Sequence, residues 1–201
     1  GRLDEVESLA GAAEVDACDI DGETPLHAAV RGGNLDVVRA VLRAGADFNA
    51  LNKQGMTPLH LAVQSDSREA ADVLLATGAK VESRDEFGCT PLHDAARRGS
   101  SSLAILLLKA GAKAQAADQF GTTPLHRAAR AGRLDVLELL LSAGASSQTT
   151  NSFGKTPVDE AKASHHQEAA AILARAHGSL NQAALHPADS RIPLVSYPSQ
   201  P

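Results

Sequence analysis

Aromatic side chains make up only 2% of this 201-residue chain: four Phe, one Tyr and no Trp. A core without large rings must be built from Leu, Ala and Val, and such small side chains suit thin helices packed close together. Two cysteines, Cys18 and Cys89, are too few and too widely spaced for a disulfide framework, so they read as free thiols in a reducing compartment. Acids outnumber bases by five, which argues against nucleic acid as the general partner. No apolar run approaches the length of a membrane span, and no secretory leader is visible; the address expected by default is intracellular, cytoplasmic or nuclear. Nucleophile elbow, phosphate-binding loop, HExxH and paired CxxC are all missing. The expectation is a protein that catalyses nothing and uses no cofactor and no metal.

What the chain has in abundance is repetition. The string TPLH occurs at Thr24–His27, Thr57–His60, Thr90–His93 and Thr123–His126, and a relative, TPVD, sits at Thr156–Asp159; every step is 33 residues. Gly22, Gly55, Gly88, Gly121 and Gly154 keep the same beat, as do Gly45, Gly78, Gly111 and Gly144, each followed by Ala. The physics of each position is plain. A threonine hydroxyl caps a helix start, and a proline fits the first helical position because its missing N–H has no partner there. Leu26 to Arg31 then reads as a short first helix, which Gly33, Gly99 and Gly132 end by turning left-handed. Leu35 to Arg43 reads as a second helix, with Leu35, Val38, Val41 and Leu42 on one face. Asp36, Glu69, Asp135 and Glu168 sit near second-helix starts, where the helix dipole favours negative charge. The segment from Asp47 to Met56 reads as an extended arm turning at Gly55.

With its 33-residue period, its TPLH strings and its late Gly-Ala pairs, the chain resembles the ankyrin-repeat family over about residues 1 to 177. The resemblance implies an all-α fold: helix-turn-helix pairs stacked into a curved solenoid, with β-hairpin arms projecting from it. It also implies binding through the arm tips and the first helices, which line the concave face. The expected division is an ankyrin-repeat domain over 1–178, comprising a partial repeat 1–18, full repeats at about 19–51, 52–84, 85–117 and 118–150, and a C-terminal repeat 151–178. The partial repeat has only a second-helix segment, Leu3 to Leu9, so either the solenoid extends N-terminally or this half-repeat is a cap. Asp66 and His165 stand where other repeats have the turn glycine. Polar drift in the last repeat, at Val158-Asp159 and Gln167-Glu168, suits a terminal unit that faces water.

Histidines at His27, His60, His93 and His126 recur beside acids, but each occupies an equivalent place in a different repeat, so they do not converge on a metal; the resemblance implies that each ties neighbouring loops by hydrogen bonds. Two ladders mark the expected partner surface. Phe87, Phe120 and Phe153 each precede an arm-tip glycine, and they read either as local packing or as an apolar strip for a partner. Arg31, Gln64, Arg97 and Arg130 each lie five residues after the signature leucine, a position that faces the groove in the family, with Arg98, Arg127 and Arg133 nearby. From Arg97 to Arg133 there are seven basic residues against one acid, Asp118, whereas the first 23 residues hold eight acids against Arg2. Such polarity steers an acidic ligand towards the third and fourth full repeats. The function expected is therefore a scaffold that binds a partner protein or extended peptide, acidic in character; the alternative is an anionic-ligand binder, for nucleic acid or a lipid head group, through the arginine cluster.

Residues 179–201 carry Pro187, Pro193, Pro198 and Pro201 and no repeat signature. Within them Ile192, Leu194, Val195 and Tyr197 form an apolar stretch that reads either as part of a linker or as a linear motif docking on a groove, in cis or in trans. Tyr197 is the single tyrosine and there is no tryptophan, so intrinsic fluorescence reports on this stretch alone. A docked tail shields Tyr197 from acrylamide until urea unfolds the protein, and dilution exposes it only if docking is between chains. Quenching equal to that of a free tyrosine peptide at every concentration excludes docking.

Overall fold

Helices begin where the repeating signals place them, and all but the last end there as well. The computed structural model describes residues 15–185, so the Leu3–Leu9 segment and the Ile192–Tyr197 stretch lie outside the described residues. Ten helices occur within them: α1 (Pro25–Arg31), α2 (Leu35–Arg43), α3 (Pro58–Gln64), α4 (Arg68–Thr77), α5 (Pro91–Arg98), α6 (Ser101–Lys109), α7 (Pro124–Arg130), α8 (Leu134–Ser142), α9 (Pro157–Ala163) and α10 (Gln167–Leu185). Every odd-numbered helix starts on the proline of its signature, with the preceding threonine extended as the N-cap. Every turn to the following helix passes through a positive φ: +68° at Gly33, +54° at Asp66, +85° at Gly99, +64° at Gly132 and +62° at His165. Asp66 and His165 thus adopt the left-handed backbone their positions demand; Asp and His are among the non-glycine residues that do so most readily.

Each odd helix packs on its own even helix and on the odd helices of adjacent repeats, and the even helices stack likewise. Leu26, Leu59, Leu92 and Leu125, one per signature, are each fully buried. A second column runs through Val41, Leu74, Leu107, Leu140 and Leu173. Small residues such as Ala62, Ala95, Ala96, Ala128 and Ala129 fill the space between helices. The core is thus a continuous strip that no single repeat could bury alone. Phe48, the one phenylalanine outside the tip ladder, is partly buried against it.

The arms are hydrogen-bonded turns. No strand is assigned among the described residues, although β-hairpins are expected in the family. In each arm an Asp or Asn opens the turn: Asp19, Asn52, Asp85, Asp118 and Asn151 donate their backbone N–H to the carbonyl four residues on. Their side-chain oxygens accept the N–H groups two and four residues on, as in Asp118 Oδ1 with Phe120 at 2.9 Å and Thr122 at 2.8 Å. Successive arms are joined by Lys53 N–H to Asp21 O, Glu86 N–H to Gln54 O, Gln119 N–H to Phe87 O and Ser152 N–H to Phe120 O, at 2.8–3.1 Å. The tip glycine is needed for this approach as well as for its φ: a Cβ on Gly88 would lie 2.9 Å from Gln119 N. Further tethers recur on the connecting segments, where Asp16, Asn49 and Glu82 side chains accept the N–H groups of Asp47, Lys80 and Lys113.

The last helix continues to Leu185, past Gly178 where the repeat pattern in the sequence stops. Of the three leucines at 106–108, Leu107 is fully buried while Leu106 and Leu108 are partly buried against the core. Leu107→Ala is expected to lower stability by about 2–5 kcal/mol, and alanine at Leu106 or Leu108 by less. Thermal or urea melts followed by circular dichroism test this, and an unaffected Leu107→Ala melt contradicts the placement of α6.

Candidate functional site

The groups that position any partner surface are the four signature histidines. In each, the backbone N–H of the capping threonine donates to Nδ1: Thr24 to His27 at 3.2 Å, Thr57 to His60 at 3.1 Å, Thr90 to His93 at 3.0 Å and Thr123 to His126 at 3.2 Å. An Nδ1 that accepts leaves the proton on Nε2, and that N–H donates to a carbonyl of the next arm. The acceptors are Met56 O at 3.0 Å, Cys89 O at 3.2 Å, Thr122 O at 3.0 Å and Lys155 O at 3.1 Å. The side chain therefore caps its own helix and clamps the following arm. In the fifth repeat Asp159 takes the histidine's place and accepts from Thr156 N–H at 2.9 Å and from its hydroxyl at 2.7 Å. It keeps the acceptor and drops the donor, and among the described residues no further arm follows to receive one.

On this frame the structure separates residues that the sequence groups together. Arg31 is paired with Glu23. Gln64 donates to Asp94 Oδ2 at 2.9 Å, and Arg97 reaches Asp94 Oδ1 at 3.2 Å, so both hold one buried carboxylate. Arg127 is half-buried and bonds Asp118 Oδ2 at 2.9 Å and Cys89 Sγ at 3.1 Å. Burial pushes the Asp118 carboxyl up, but the Arg127 hydrogen bond and the N–H groups of Thr122 and Phe120 outweigh it and hold the group below its ordinary range. Burial pushes the Cys89 thiol up to about 11, so it stays protonated and inert. Arg130 and Arg98 are exposed. The basic run is split between two recesses. Arg127 and Arg130 line one with Lys155, whereas Arg97 and Arg98 line another with Arg133.

The first recess, about 600 Å³, lies between the last two arms and the helices α7 and α9. Phe120 and Phe153 form part of its wall, their ring centroids 6.3 Å apart and inclined by 27°. Phe87, Phe120 and Phe153 are 50%, 43% and 70% exposed. Local packing alone would hide such rings; here the arm backbone holds each of them towards water. Two acids also line the recess, and both face inward: Asp118 is taken up by Arg127, and Glu160 accepts from Asn151 Nδ2 at 3.2 Å. The charges left on the surface are Arg130 and Lys155, both exposed. Sequence reasoning counted Asp118 but missed its pairing with Arg127, and it missed Glu160 and the Asp/Asn turn caps. The cap signal was present, as an Asp or Asn three residues before every tip glycine.

Among the described residues no helix is long and apolar enough to cross a membrane, and no three His, Cys, Asp or Glu side chains gather as metal ligands would.

Burial lowers the pKa of His27, His60, His93 and His126 from the ordinary 6.5, that of His93 to about 4. The unfolded chain therefore takes up protons first as pH falls. The stabilisation is complete above about pH 6.5 and is lost progressively towards the folded pKa, near 4 for His93. His93 alone removes about 2 kcal/mol by pH 5. The urea midpoint is expected to fall between pH 7.5 and pH 5, and by less in His93→Gln. A midpoint constant over that range contradicts the neutral-imidazole arrangement.

A comparison with curated proteins finds no match. The family model for ankyrin repeats matches three times, over residues 1–85, 74–151 and 92–184. With the threonine-capped helix starts, the left-handed turns and the arm-to-arm ladder all keeping the same period, the chain belongs to the ankyrin-repeat family.

Proposed function

We propose that the chain is a scaffold that holds an extended, acidic segment of a partner protein against the tips and first helices of its last two arms. Ankyrin repeats are in general protein–protein interaction modules and typically non-enzymatic. The observation that carries the reading is the row of exposed rings, Phe87, Phe120 and Phe153, on arms stitched together by backbone hydrogen bonds. An apolar surface presented by a rigid backbone lowers the ordering cost of binding, and aromatic anchors dominate interface energetics. Apolar side chains of the partner meet the Phe120–Phe153 pair, and its carboxylates meet Arg130 and Lys155. Arg31, Arg97 and Arg127, engaged with acids of their own chain, mainly hold the surface in shape. Mechanism is preformed complementarity, with no bond made or broken.

Phe120→Ser with Phe153→Ser, and separately Arg130→Glu with Lys155→Glu, leave the melting midpoint nearly unchanged because the side chains project into solvent. Affinity capture followed by mass spectrometry should recover partners on the parent protein that both variants lose. A retained set identical for all three proteins overturns the assignment. Arg97→Glu is a poorer probe, since it sets a carboxylate beside Asp94 and perturbs folding. A captured partner whose affinity falls steeply with salt and survives loss of the rings would favour the anionic-ligand alternative.

A further inference from the structure

The turn between α5 and α6 carries a feature that partner binding at the arms does not use. Arg97 and Arg98 close α5, Gly99 turns with φ +85°, and Ser100 is the N-cap residue of α6. Ser100 is half-buried, and its hydroxyl caps no backbone N–H of the helix it precedes; among the described residues its one side-chain partner is Ser102 Oγ, in the first turn of α6, at a long 3.4 Å. It lies in a recess of about 320 Å³ lined by Arg97, Arg98, Arg133 and a single acid, Asp66. Arg133 is draped over the turn: its Nε donates to Arg97 O at 3.3 Å, and its Cδ would lie 2.6 Å from a Cβ built on Gly99. Three guanidinium groups and one carboxylate line the recess; with Arg97 also held by Asp94, a local excess of one positive charge remains around a hydroxyl engaged only by the long bond to Ser102.

We propose that Ser100 is a phosphorylation site, modified by a serine kinase that reads the arginines three and two residues before the acceptor. In the transfer Ser100 Oγ bonds to the γ-phosphorus of ATP, the hydroxyl proton passes to the kinase's base, and the bond to ADP breaks. The phosphoserine brings about −1.5 to −2 charges and strong acceptor oxygens, which offset the excess in the recess. Guanidinium forks match phosphate oxygens in geometry as well as charge. The first turn of α6 contains no acid to repel it, in contrast to Asp36, Glu69, Asp135 and Glu168 at the other second helices. Ser101 and Ser102 already belong to the helix and do not line the recess.

The test uses the full chain with ATP and an arginine-directed serine kinase. The expected result is one added phosphate, mapped by fragment mass to Ser100, absent in Ser100→Ala and at least tenfold slower to appear in Arg97→Gln with Arg98→Gln. In the folded product the phosphorus resonance should titrate below the value of about 6 usual for phosphoserine, and return to it in Arg133→Gln. Phosphate that fails to appear, or appears only on Ser101 or Ser102, overturns the site. Titration at the ordinary value in the parent chain overturns the role of the recess.

Discussion

Everything in this molecule hangs on a neutral imidazole that accepts one hydrogen bond and donates another. The accepted bond, from a threonine N–H, closes the start of a helix; the donated bond, to a carbonyl of the next arm, fixes the distance to the next repeat. A lone repeat would lose the carbonyl that receives its histidine's donated bond and leave that N–H to water, so this buried bond forms only with the neighbour in place. Each repeat therefore needs its successor for polar reasons as well as for burial of its leucines. The nearest-neighbour cohesion of a solenoid here has a specific chemical carrier, and Asp159 shows what happens to it when the following arm is missing from the described chain.

The fold was legible because the signals that specify it are local and recur. A threonine followed by proline starts a helix by itself, and a backbone position that must be left-handed selects Gly, or Asp66 and His165, whatever lies across the interface. Charge partners are not local in this sense. Arg127 and Asp118 are nine residues apart, and Gln64 and Asp94 thirty. Counting along the chain therefore registers a basic run and the one acid inside it, Asp118, but not that Asp118 and Asp94 are buried against Arg127 and Arg97. The run also looked like one patch. Stacking puts Arg97 and Arg98 at the turn between paired helices and Arg130 beside the arms, so one stretch of sequence serves two recesses. The end of α10 was hidden for a different reason: once the repeat stops, nothing periodic marks where a helix must end, and Ala-rich sequence such as 170–184 continues it readily.

The same period that builds the frame separates structure from recognition. Positions that are identical in four repeats, the leucine and histidine of the signature, are buried in all four. Positions that differ, such as the residue before the tip glycine, are where the surface acquires its character: Asp21 and Gln54 in the first two arms, then Phe87, Phe120 and Phe153. The backbone course is alike in all five, since each tip glycine has φ near +70°. The chain can thus place a carboxylate, an amide or a phenyl ring at the same point of successive arms at little cost to folding. Phe120 and Phe153 meet at 6.3 Å because their arms are bonded to each other, Ser152 N–H to Phe120 O. Their stacking is a consequence of the ladder, and the apolar surface they make is as rigid as the backbone that carries it.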